Sequence, residues 1–186
     1  MSQTETEAPK SKIWEWIKAI VLAIGLAMII RFFLFEPYLV EGSSMDPTLK
    51  DGDRLFVNKT LQFIGEIEKG DIVIIKGKEE DIRYVKRIIG SPGDKISAEN
   101  GKVYVNGKVI NEPYLESNKE EAQQMGMLLT NDFEEIEVPE GSYFVMGDNR
   151  LNSMDSRNGL GLIESDRILG KSEFIFFPFG HLSKTE

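Results

Sequence analysis

From Ile17 to Phe35 the chain is apolar but for Lys18 and Arg31, and between Ala19 and Ile30 no polar face interrupts it. A helix buried in a water-soluble core normally keeps one polar stripe. As a helix the run would span about 28 Å, close to the ~30 Å hydrocarbon thickness of a bilayer. Trp14 and Trp16 suit one interface, while Lys18 and Arg31 can reach opposite edges. The residues after the core, Arg31-Phe32-Phe33-Leu34-Phe35, are all large. They offer no small-residue cleavage site, so an uncleaved anchor is expected rather than a removable leader. Lys10, Lys12 and Lys18 precede the core and only Arg31 lies just beyond it. The positive-inside rule therefore orients the N-terminus to the cytoplasm and the remainder outside. The expected organisation is a disordered tail over 1–12, an anchor over 13–35 and an extracytoplasmic domain over 36–186.

Past Glu36-Pro37, where proline ends a helix, Tyr38-Leu39-Val40 reads as a short extended run. It leads to Gly42-Ser43-Ser44-Met45-Asp46-Pro47-Thr48-Leu49. Ser44 lies within roughly 30 Å of the bilayer even if the chain is fully extended. A serine is a weak nucleophile until a base takes its proton. The single histidine, His181, stands near the C-terminus, where a solvated side chain is expected, and the chain has no cysteine. That leaves lysine, as in Ser-Lys variants of the catalytic triad, provided that burial lowers its pKa and leaves the amine neutral. Lys86 stands out, because it sits inside the strand-like run Ile82 to Ile89 while most other lysines flank Gly, Glu or Asp. On an alternating strand Tyr84 and Lys86 face one way, and Val85 and Arg87 the other. A third stretch, Gly147 to Arg157, concentrates hydrogen-bonding side chains between apolar flanks.

The remaining pattern is mostly β. Arg54 to Asn58 alternates, and Ile72-Val73-Ile74-Ile75 reads as a strand buried on both faces. Ser91-Pro92-Gly93-Asp94 fits a type II turn. Asn100-Gly101 and Asn106-Gly107 are hairpin signals around Val103-Tyr104-Val105. They predict a small meander within an inserted segment over about 95–141. Glu116 to Glu137 is acidic and irregular, and reads as a mobile loop with a short helix near Glu120 to Leu128. Tyr143 to Met146 and Ile168 to Phe177 supply later strands. A net charge of −9 and a pI near 4.8 argue against nucleic acid as a partner.

Taken in order, three stretches resemble the boxes of the bacterial type I signal peptidases, a family of membrane-anchored serine proteases. They are Ser44-Met45-Asp46-Pro47-Thr48-Leu49, Tyr84 to Asp94, and Gly147 to Arg157. The resemblance implies a mainly β, antiparallel-sheet catalytic domain, a signal-peptidase/LexA-like β fold, behind one transmembrane helix. It implies Ser44 as nucleophile and Lys86 as general base, with no metal or cofactor. Ser153 would hydrogen-bond and orient the lysine, and Asp155 would support the site through Arg87 or Arg157. Tyr38, Val40, Met45, Leu49, Tyr84 and Val85 would line shallow pockets for small residues at positions −1 and −3 of a signal peptide. Partners would be exported preproteins and the lipid bilayer. Some family members add a serine hydroxyl two residues before the nucleophile, but Gly42 stands there, and Leu151 replaces a common Asp. Two other readings fit part of the pattern: a soluble Ser-Lys protease that cleaves its own chain, and a silent anchored protein that only binds signal peptides.

Overall fold

The computed structural model describes residues 10–60, 67–79 and 82–185, with the side chains of residues 10, 11 and 29–35 left aside. Of the tail expected over 1–12, residues 1–9 lie outside the described residues, as does the side chain of Arg31. Helix α1 (Lys10–Leu34) begins at Lys10, before the boundary expected at residue 13. Its described apolar side chains, from Ile13 to Met28, are exposed, Trp16 at 70% and Leu22 at 74%. Among the described residues no helix is long and apolar enough to cross a membrane.

The chain passes from α1 directly into β1 (Phe35–Leu39), so Pro37 lies inside a strand instead of ending the helix itself. It is tolerated there because β1 is the edge of its sheet, where a missing N–H need break no ladder. The other strands are β2 (Arg54–Asn58), β3 (Ile72–Lys76), β4 (Arg83–Gly90), β5 (Lys95–Glu99), β6 (Lys102–Val105), β7 (Lys108–Val109), β8 (Phe133–Glu137), β9 (Ser142–Met146), β10 (Ile163–Glu164), β11 (Ile168–Phe177) and β12 (Ser183–Lys184). Among the described residues they form two antiparallel sheets. The larger has the order β1-β2-β11-β3-β4-β9-β10, with β12 beside β11; the smaller is β7-β6-β5-β8. The architecture is therefore mainly antiparallel β, as the resemblance implied.

β3 sits at the centre of the large sheet, and its sequence explains why. Ile72 and Ile74 enter one core layer with Val40, Met45, Leu49, Leu55, Val57 and Ile175. Val73 and Ile75 enter the opposite layer with Ile88, Val145, Leu160, Ile163 and Ile168. A strand with a buried layer on each side carries no polar alternation. The small sheet closes a third layer around Ile96, Val103, Val138, Phe144 and Met146. Its two Asn-Gly turns take positive φ at both central residues, 52° and 77° at Asn100-Gly101 and 52° and 73° at Asn106-Gly107. These are the paired values of a type I′ turn, so the meander forms as the sequence indicated.

The acidic stretch after Leu115 departs from the expected loop. It holds α2 (Glu116–Gln124), starting earlier than the helix expected near Glu120, and then β8. Apolar residues too widely spaced to stand out provide the reason. Leu115, Ala122 and Leu129 form a small core of their own. Phe133 stacks on Phe144 at 5.7 Å, and Ile136 pairs with Ile96 on β5.

Gly170 on β11 has a role that no local pattern revealed. A Cβ there would lie 2.5 Å from the Asn58 carbonyl oxygen and 2.8 Å from Val57 Cγ1 of β2. Gly170→Ala should therefore force these strands apart and cost ~1–3 kcal/mol. Denaturant unfolding followed by circular dichroism measures this, and wild-type stability would contradict the close approach.

Candidate active site

Ser44 stands in the loop between β1 and β2. Two backbone bonds close the base of that loop, Val40 N–H to the Asp53 oxygen at 2.8 Å and Gly52 N–H to the Val40 oxygen at 2.9 Å. Met45 and Leu49 drive the loop into the core, at 1% and 0% exposure. Ser44, between Ser43 and Met45, is left half-buried at the surface of that layer. Gly42 turns the chain at φ +87°, with its N–H donating to Asp51 Oδ1 at 2.7 Å. A side chain at that position would be strained, so this loop disfavours a side-chain donor two residues before Ser44. Among the described residues no acceptor takes the Ser44 backbone N–H.

Lys86 arrives from β4, paired between β3 and β9. The register sets Lys86 opposite Val73 and Tyr84 opposite Ile75, so both share the face of the second core layer. Lys86 is 2% exposed, and its Nζ is hydrogen-bonded to Ser44 Oγ at 2.6 Å and to the Val85 carbonyl at 2.9 Å. Burial lowers its pKa to about 8, against the pull of the Asp155 and Asp148 charges, which raise it. The unfolded lysine keeps its proton up to a higher pH. Burial of the charged form therefore costs stability below about pH 8, and that cost is relieved as pH rises from there toward 10.5.

The third stretch surrounds this pair with carboxylates that are already committed. Asp148 is fully buried and takes Arg87 in a fork, Nε to Oδ1 at 3.0 Å and a terminal nitrogen to Oδ2 at 2.8 Å. Thr48 Oγ1 adds a bond to Asp148 Oδ2 at 2.6 Å, which ties the Ser44 loop to this pair. The remaining Arg87 nitrogen donates to the Gly70 carbonyl at 2.7 Å. Asp155 receives Arg157 in the same way, at 2.8 Å on each oxygen, and the Gly147 N–H at 3.0 Å. Burial pushes Asp155 up, but Arg157 and these N–H donors outweigh it and hold the acid below the usual carboxylate range. Of the two arginines expected for Asp155, Arg157 is the partner and Arg87 belongs to Asp148.

Ser153 departs from expectation. It is buried at 6% and its Oγ lies 2.2 Å from where a Gly147 Cβ would be, yet that Oγ makes no hydrogen bond to Lys86 or to any other described residue. The Val85 carbonyl takes up the amine instead. Leu49 departs as well: it is core, and only Tyr38, Val40, Met45, Tyr84 and Val85 of the expected pocket residues line the cleft beside Ser44 and Lys86. That cleft has a volume of about 310 Å³ and adds Leu39, Glu41, Ile74 and Arg83 to its walls.

Residues 13–177 match the family described as signal peptidase, peptidase S26. The chain belongs to that family. It is 60% identical to a signal peptidase I of Bacillus amyloliquefaciens, over 100% of this chain and 96% of the relative. It is 59% identical to signal peptidase I T of Bacillus subtilis strain 168, over 100% and 97%. Among solved structures it resembles a signal peptidase I from Enterococcus faecalis V583, at TM-score 0.53 and 32% identity, covering 58% of this chain and 97% of that one. The family makes the chain a serine endopeptidase.

Several contacts of this peptidase were not legible in its sequence. His181 is not a solvated tail residue: its Nδ1 lies 3.1 and 3.0 Å from the two oxygens of Asp53, itself 2% exposed at the base of the Ser44 loop. Asn149 donates its backbone N–H to the Ser44 carbonyl and its side-chain amide to the Ser43 carbonyl, both at 3.0 Å. Asn152 reaches Ser43 Oγ at 3.0 Å. Buried carboxylates and loop amides gave the only signal, and it does not say which partner each one finds. Asp148→Ala should lower stability by ~3–5 kcal/mol, because it strands the buried Arg87 charge. Denaturant unfolding tests this, and a change below about 1 kcal/mol would contradict the pairing.

Proposed function

We propose that this family member removes signal peptides from exported preproteins, with Ser44 as nucleophile and Lys86 as general base. One observation carries the reading: a lysine buried to 2% exposure lies 2.6 Å from a serine hydroxyl beside an open cleft. With the amine neutral, Ser44 O–H donates to Nζ and surrenders its proton as Oγ attacks the scissile carbonyl. The tetrahedral intermediate places its oxyanion toward the unengaged Ser44 N–H, the kind of fixed donor that stabilises developing charge. Lys86 then gives its proton to the leaving amine, which departs as the N-terminus of the mature chain. The signal peptide remains as an ester on Ser44. Lys86, neutral again, takes a proton from water, the hydroxide attacks the ester, and Ser44 leaves with that proton.

Tyr38, Val40, Met45, Tyr84 and Val85 give the cleft apolar walls, and its modest volume favours small side chains at −1 and −3. Asp155 and Arg157 act as scaffold, since Asp155 is saturated by arginine and backbone donors. For α1 we read a single-pass anchor with its N-terminus in the cytoplasm. Between Ala19 and Ile30 its sequence is apolar on every side, and its apolar side chains from Ile13 to Met28 are exposed rather than packed on the β domain. β1 follows with no linker, which would hold the cleft close to the outer face of the membrane.

Ser44→Ala and Lys86→Arg should each reduce cleavage of a labelled preprotein in detergent by at least about a thousandfold. The arginine variant is the sharper of the two, because guanidinium keeps its proton and cannot act as a base. Near-normal turnover by either would reject the assignment.

A further inference from the structure

The segment 112–130, between β7 and β8, touches all three motif stretches from one place. Glu112 pairs with the buried Arg150, and Thr130 Oγ1 lies 3.3 Å from the same guanidinium. The Tyr114 ring lies 3.9 Å from Arg87 Cζ, and its hydroxyl donates to Glu112 Oε1 at 2.9 Å. Beyond these, in the first turn of α2, Asn118 donates its side-chain amide to two carbonyls, Asp46 at 3.0 Å and Asp148 at 3.2 Å.

Those two carbonyls belong to the two loops that meet at Ser44. Asp46 is two residues past the nucleophile. Asp148 precedes Asn149, whose N–H holds the Ser44 carbonyl at 3.0 Å. One amide therefore clips the nucleophile loop to the Gly147–Arg157 loop. Holding α2 in place does not require that clip, since Leu115 and Ala122 bury α2 and Glu112 anchors the segment to Arg150. Nor does burial demand it, because Asn118 is only half-buried and water could satisfy its amide. What the two bonds fix is the relative placement of the loops.

We propose that Asn118 is a positioning residue for Ser44: by donating to the carbonyls of Asp46 and Asp148, it keeps the nucleophile loop where Oγ stays within hydrogen-bond reach of Lys86 Nζ. This rests on the reading of Ser44 and Lys86 given above. A misplacement of about 1 Å between reacting groups can cost about a hundredfold in rate, so loosening the clip slows the chemical step while leaving the cleft and its affinity intact.

The test uses the full chain in detergent micelles. Asn118→Leu keeps the side chain's shape and removes both donors, and Asn118→Ala removes the side chain beyond Cβ. The expected result for both is a fall in kcat of about tenfold per folded enzyme, with KM within about twofold of wild type. Covalent labelling by a serine-directed acylating reagent slows by a similar factor. Wild-type kcat in both variants overturns the proposal, as does a lower melting temperature with kcat per folded enzyme unchanged. A raised KM at constant kcat overturns it too, since that is the signature of substrate contact. Ser44→Ala is assayed in parallel. Residual turnover there rejects the nucleophile reading itself, whereas a dead Ser44→Ala beside a fully active Asn118→Leu rejects the clip alone.

Discussion

A lysine that the fold keeps dry is the constraint on which the site rests. Three cations are buried around the site: Lys86 and Arg87 from one strand, and Arg150 from the Gly147–Arg157 loop. Arg87 has Asp148 and Arg150 has Glu112, so each guanidinium enters the interior with its countercharge. Among the described residues Lys86 has no carboxylate at ion-pair distance. Its contacts are a hydroxyl and a carbonyl, which accept a hydrogen bond but supply no full negative charge. The two acids close enough to raise its pKa, Asp155 and Asp148, are each held in an arginine fork, so their field at Lys86 is partly cancelled. Burial prevails and the amine becomes easy to deprotonate. A fold that needed only stability would have had little reason to leave one buried cation without a partner.

The sheet provides the dry environment. β3 must be apolar on both faces because a core layer lies on each, and its neighbour β4 inherits that shelter. Lys86 thus enters the interior as a strand residue on the face it shares with Val73, while the Ser44 loop reaches it from β1 and β2. Met45 and Leu49 hold that loop by burial, and Thr48, Asn149 and Asn118 hold it by hydrogen bonds. The acidic segment between the meander and β9 is therefore part of the site's frame, through Glu112, Tyr114 and Asn118.

The sequence revealed the strands where one physical rule decided them. The unbroken Ile72 to Ile75, the doubled Asn-Gly turns and the long Ile168 to Phe177 each admit one reading. It also singled out Ser44 and Lys86, because a chain with no cysteine and one histidine leaves few bases for a serine. What it hid were pairings between distant residues. Nothing local says that Asp155 takes Arg157 while Asp148 takes Arg87, that the Ser153 hydroxyl makes no hydrogen bond among the described residues, or that His181 folds back on Asp53. An apolar side chain such as Leu49 can serve a pocket wall or the core, and only three-dimensional packing separates the two. α2 was obscured because its core is small and its polar side chains dominate the composition.

The central claim is that Lys86 loses its proton within the range where such an enzyme works. It is tested most directly by NMR titration of the lysine side-chain nitrogens in the full chain in micelles, with the Lys86 signal assigned by its absence from Lys86→Arg. The account predicts a midpoint near 8 for Lys86. A midpoint at the ordinary 10.5 would mean that the amine stays charged beside Ser44, and would contradict it.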